Sequence, residues 1–86
     1  MAHAFLSNRV VTPRGTQPAA LLVEEGCIRA ICRASELPVD AILHDCGNDA
    51  ILPGLVDTHV HINQPGRTEW EGFRTATSAA AAGGFT

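Results

Sequence analysis

The sequence predicts an α/β chain in two parts, a small β layer over residues 1–52 and the opening strand, loop and helix of a βα repeat over residues 53–86. Three observations predict it. Short apolar runs, rich in β-branched residues and separated by Gly, Pro, Asn and Asp, fill the first part. After Pro53-Gly54 the run "LVDTHVHI" reads as one strand and "NQPGR" as a loop. Over residues 69–82 the apolar spacing then changes to three and four, the period of a helix.

Each element has its own justification. "AFLSNRVVT", residues 4–12, is a strand closed by the turn "PRG". "AALLVEEGCIRAICRA", residues 19–34, is a hairpin in which Gly26 supplies the positive φ of a tight turn, with the arginines of the second arm toward water. In "SELPVD", Ser35 is a candidate cap of a short turn, and Pro38 prevents anything long. "AILHDCGNDAILPG" adds a strand candidate and a turn at "GND". The first 52 residues thus predict several short antiparallel strands.

In the second part a strand covers about residues 54–62 and a helix about 69–82. Thr68 and Glu71 make a T-x-x-E capping box for that helix, and the two glycines at 83 and 84 stop it. Trp70, Phe73, Thr77, Ala80 and Ala81 share one face for packing. The ending "GGFT" reads as the start of another strand, as expected for a segment cut from a longer chain.

Composition excludes several functions. The net charge is -3, with six arginines, nine acids and no lysine, so no basic stripe exists to follow a nucleic-acid backbone. No apolar run approaches the roughly 18 residues that span a bilayer, and a membrane role is not expected. Three cysteines, Cys27, Cys32 and Cys46, without a CxxC pair, predict small buried thiols in a reduced, cytoplasmic protein.

The chemistry concentrates in His59 and His61. On a strand, residues i and i+2 share a face about 6.6 Å apart, so both imidazoles can aim at one metal ion. They sit at the carboxyl end of the strand, where βα barrels gather catalytic groups. A metal there lowers the pKa of bound water and polarises a carbonyl. Two histidines do not complete a catalytic site, which takes three protein ligands and an open position. Asp57 falls on the same face, as a partner that orients a histidine or as a polar residue with no role. His3 and His44 read as ordinary strand or loop residues.

Residues 51–86, "ILPGLVDTHVHINQPGRTEWEGFRTATSAAAAGGFT", resemble the amidohydrolase superfamily, and within it the cyclic amidohydrolases, which open ring amides such as hydantoins, dihydropyrimidines and dihydroorotate. The first 50 residues resemble the same group more loosely. The resemblance implies part of an N-terminal β-sandwich domain over residues 1–52, followed by the first strand and helix of a truncated (β/α)8 metal-dependent hydrolase barrel. "PGRTEWEGF" followed by "AAAAGGFT" is most similar to the members that hydrolyse allantoin to allantoate in purine degradation. Asn63 stands where dihydroorotases commonly carry an arginine for the substrate carboxylate, and a neutral amide cannot make that bidentate charged pair. Gln64 stands where an acid is usual in the allantoin-hydrolysing group.

By the same resemblance, His59 and His61 match the first two metal ligands. The family's other ligands, a carboxylated lysine bridging two metals, two more histidines and an aspartate that shuttles protons, lie downstream, so no catalytic residue is expected within this segment. The implied cofactor is zinc, as two ions, with other divalent metals admitted by such ligands. Asn63 and Arg67 are candidates for substrate binding, with a solvated arginine as the alternative for Arg67. The implied complete enzyme is a homo-oligomer, often a tetramer, acting on a small molecule. Alternatives are another cyclic amidohydrolase, a non-catalytic scaffold on the same fold, or an independent β-rich binding module.

Overall fold

The computed structural model describes residues 1–86, which divide into two compact units, Met1–Leu52 and Pro53–Thr86. The first unit holds β1 (Ala2–Thr12), β2 (Gly15–Glu24), β3 (Cys27–Cys32), β4 (Ile42–Asp45) and β5 (Ala50–Ile51), with a 3-10 turn at Ala34–Glu36. These form one mixed sheet in the order β3-β2-β1-β4, with β5 also paired to β1.

The hairpins follow from turn chemistry. β1 and β2 are antiparallel across the two-residue turn Pro13-Arg14, and β2 and β3 across Glu25-Gly26. Glu25 has φ 51° and Gly26 φ 75°, and two positive φ values in a two-residue loop match the right-handed twist of the strands. The β1–β2 register slips by one residue between Ser7 and Val10, leaving Asn8 and Arg9 opposite Pro18 alone. A proline cannot donate to a ladder, and this bulge is where a strand tolerates one.

β4 and β5 lie parallel to β1, with His3 opposite Ile42 and Arg9 opposite Ala50, which corrects the expectation of an all-antiparallel layer. The chain leaves β3 at one edge and crosses to the far side of β1 through residues 33–41. Hairpin signals report strands that are neighbours in sequence and carry no information on such a crossover. Within that connection, Arg33 precedes the 3-10 turn and its N–H donates to Glu36 Oε1 at 3.3 Å, so Ser35 lies inside the turn and does not cap it.

The buried core is Ala4, Val10, Ala19 and Ala20, together with Ser7. Ser7 earns its burial through its bonds: its hydroxyl donates to the Asp49 carbonyl and accepts the Arg9 N–H at 2.9 Å. The bulge is thereby tied to the β4–β5 turn, which Asn8 N–H to Gly47 O at 2.9 Å also fastens. β3 is an exposed edge on both faces, with Ile28 63% and Ile31 50% accessible, so its alternation produces no buried face. A second bulge at Arg29 further breaks the period. Cys27, where β3 begins, is exposed and all three thiols are free, which corrects the expectation of buried cysteines.

In the second unit, α1 (Thr68–Glu71) and α2 (Phe73–Gly83) replace one continuous helix. The break is Gly72, whose ψ of 177° is extended. Arg67 precedes α1 at φ 54°, Thr68 makes no capping bond, and Glu71 accepts the Thr75 hydroxyl at 3.0 Å, so the expected capping box is absent. The break also divides the expected apolar face, leaving Trp70 64% and Phe73 51% exposed. α2 ends as expected: Gly84, at φ 87°, donates to Ala81 O and Phe85 to Ala80 O, a Schellman cap.

The expected strand over residues 54–62 reduces to one parallel bridge, Leu55 to Phe85, with Leu55 N–H bonded to Gly84 O and Thr86 N–H to Leu55 O. A ladder needs a partner strand, and only Phe85 and Thr86 are available to this segment. The expected opening of a βα repeat is thus represented only by a parallel bridge between residues on either side of the two helices. No helix is long and apolar enough to cross a membrane.

Candidate metal centre

His59 and His61 lie on the irregular segment that follows Leu55. Asp57 Oδ1 accepts the His59 backbone N–H at 3.0 Å, a local turn of the kind aspartate favours. This bend, with the side-chain torsions, brings the two imidazoles together. Their Nε2 atoms are 3.1 Å apart, and the ring centroids are 5.1 Å apart at a tilt of 52°.

The pair suits a shared cation. With both rings neutral, one Nε2 carries a proton and the other accepts it. Two ligands of a tetrahedral zinc with bonds of 2.0–2.1 Å stand about 3.3 Å apart, so a metal could take the place of that hydrogen bond after a shift of a few tenths of an ångström, with the donor ring carrying its proton on Nδ1 instead. Both rings are exposed and within reach of solvent. No third His, Cys, Asp or Glu completes a cluster with them. Asp57 Oδ1 is bonded to backbone and to no imidazole.

An open groove of about 480 Å³ adjoins His61. Val60, Ile62, Ala80 and Phe85 give it apolar walls, and Asp57 and Glu71 add carboxylates. Val60 and His61 line it together, so the strict alternation of faces expected for this segment does not hold. Neither Asn63 nor Arg67 lines the groove. The Asn63 backbone N–H donates to Glu71 O at 2.6 Å, and the Arg67 guanidinium sits 4.7 Å from the centroid of the Trp70 ring.

A contact that the sequence does not reveal involves Gln64. Its side-chain carbonyl accepts the Phe73 N–H at 3.2 Å, across the helix break. The one signal for it is the glycine in "WEGF", which interrupts a helical period. In the first unit, His3 Nδ1 and His44 Nε2 are 2.9 Å apart, and His44 stacks on Phe5 at 4.6 Å. The parallel pairing of β1 with β4 brings these rings together, and sequence separation hides it.

Comparison with known proteins shows a likeness to one kind of enzyme. No protein-family model matches the chain. The allantoinase of Streptomyces avermitilis is 62% identical over 81 residues, 93% of this chain. Such an alignment takes in both compact units. Along these residues the chain is allantoinase-like.

A probable allantoinase of rice, Oryza sativa subsp. japonica, is 49% identical over 93% of the chain, and the allantoinase of Saccharomyces cerevisiae 40% over 98%. The likeness to allantoinases thus spans bacteria, plants and fungi. The chain spans 18%, 16% and 20% of the lengths of these three relatives. A mixed sheet followed by a helix is compatible with a segment of a larger enzyme of that length.

Proposed function

We propose that this chain is part of an allantoinase, an enzyme that hydrolyses the ring amide of allantoin to allantoate. The observation that carries the reading is the 62% identity to an allantoinase over 93% of the chain. The convergent Nε2 atoms of His59 and His61 supply the chemistry that fits it. In the complete protein these histidines hold one divalent metal, and ligands from outside this chain complete the centre. The metal supplies Lewis acidity and lowers the pKa of water near the substrate.

The remaining work falls to the chain itself. Asp57 fixes the backbone at His59, and the open groove beside His61 admits water and a small substrate. Hydrolysis adds the oxygen of water to the ring carbonyl carbon, breaks the carbon–nitrogen bond and sends a proton to the departing nitrogen. A β-sandwich for the first unit, a (β/α)8 barrel begun by the second, zinc as the metal, a homo-oligomer and a cytoplasmic setting belong to the same proposal. Three free thiols support a reduced compartment. The exposed Val56 and Val60, 73% and 61% accessible, support further chain packing on the second unit.

The test is a substrate panel. The complete protein is assayed on allantoin, a hydantoin, a dihydropyrimidine and dihydroorotate. Preference for allantoin is expected, and a preference for any of the others overturns the reading.

A further inference from the structure

We infer that Gln64 is a positioning residue for the metal-binding pair, tying the segment that leaves His61 to the first turn of α2. The inference rests on the metal-centre reading above. Phe73 opens α2, and a helix provides no acceptor for its own first N–H groups. Gln64 Oε1 takes that hydrogen at 3.2 Å. One residue earlier, the Asn63 N–H bonds Glu71 O at 2.6 Å. Two successive residues are therefore pinned to the two sides of the helix break.

Gly72, at the break, is the one buried residue of its unit. A Cβ there would stand 3.1 Å from Gln64 Oε1 and 2.7 Å from Thr68 Cγ2. The amide thus lies beside the backbone at Gly72. His61 lies three residues before Gln64, at most about 10 Å of chain, so the backbone that carries its ring is tied within that span of the anchor. The two histidines thus have separate tethers, the Asp57 carboxylate for His59 and the Gln64 amide for His61.

The role needs an acceptor at position 64 and no particular charge. Gln64→Leu removes the acceptor at similar volume. Gln64→Glu keeps it and places a negative charge at the positive end of α2. Zinc affinity of the complete protein is measured by competition with a chromogenic chelator, alongside the melting temperature of the metal-free protein. Gln64→Leu is expected to weaken zinc binding by about 10- to 100-fold, as loss of a residue supporting a ligand does. Gln64→Glu is expected to restore wild-type affinity and wild-type metal-free melting, while Gln64→Leu lowers that melting by no more than the loss of one helix-end acceptor does.

Wild-type affinity in Gln64→Leu overturns this inference alone. So does a Gln64→Glu variant as weak as Gln64→Leu, or an affinity loss matched by a fall in metal-free melting. A wild-type protein that binds no zinc overturns the metal-centre reading, and this inference with it. Should Gln64→Leu fail to fold, Gly72→Ala presses on the same amide and on Thr68: weakened zinc binding with metal-free melting unchanged supports the inference, and wild-type affinity or a loss matched by a fall in melting overturns it.

Discussion

Ser7 and Glu25 show how single residues decide local stability. The Ser7 hydroxyl is buried at 2% exposure and serves the Arg9 N–H and the Asp49 carbonyl together. Ser7→Ala leaves both groups without that partner and is expected to cost about 1–3 kcal/mol, read from the urea midpoint. An unchanged midpoint would show that water replaces the hydroxyl. Glu25 occupies the left-handed region at φ 51°, where a side chain of its size is strained by about 1 kcal/mol or more. Its ion pair with Arg29, at 3.7 Å between half-exposed and exposed side chains, returns less than that. Glu25→Asn is therefore expected to stabilise the β unit by about 0.5–1 kcal/mol, since asparagine accepts this conformation. A lower midpoint in Glu25→Asn would mean that the ion pair outweighs the strain.

Among the elements, those set by neighbouring residues were legible in the sequence and those set by distant partners were not. The Glu25-Gly26 hairpin and the stop after residue 83 follow from glycine at positive φ, a property of the residue itself. The parallel pairing of β4 and β5 with β1 depends on a crossover of nine residues that no local pattern records. The capping box failed for a related reason. Thr68 and Glu71 have the right types and spacing, but Arg67 enters in the left-handed conformation and the Glu71 carboxylate is bonded to Thr75. Helix α2 offers a direct test. At Gly84 a Cβ would meet nothing within 4 Å, so Gly84→Ala costs conformational strain alone. About 1 kcal/mol is expected, with the loss visible as early fraying of residues 80–83 in amide exchange. Exchange at the wild-type rate would contradict it.

For the molecule as a whole, the candidate site was half legible. The H-x-H spacing identified His59 and His61, and the structure brings their Nε2 atoms to 3.1 Å. Gln64 was not legible as a tether, because its bond to Phe73 spans nine residues and a helix break. The chain spans 16–20% of the lengths of its relatives and carries two candidate ligands, one short of the three protein ligands of a catalytic zinc. The isolated 86-residue chain with added zinc is therefore expected to form no allantoate, and allantoate above the zinc-only background would contradict this. His59 and His61 are proposed ligands of a metal centre that residues outside this chain complete. Anomalous diffraction at the zinc edge, on crystals of the complete protein, tests it most directly. A peak about 2.0–2.1 Å from both Nε2 atoms is expected. A metal bound elsewhere, with both histidines free of it, would rule out these two residues as ligands.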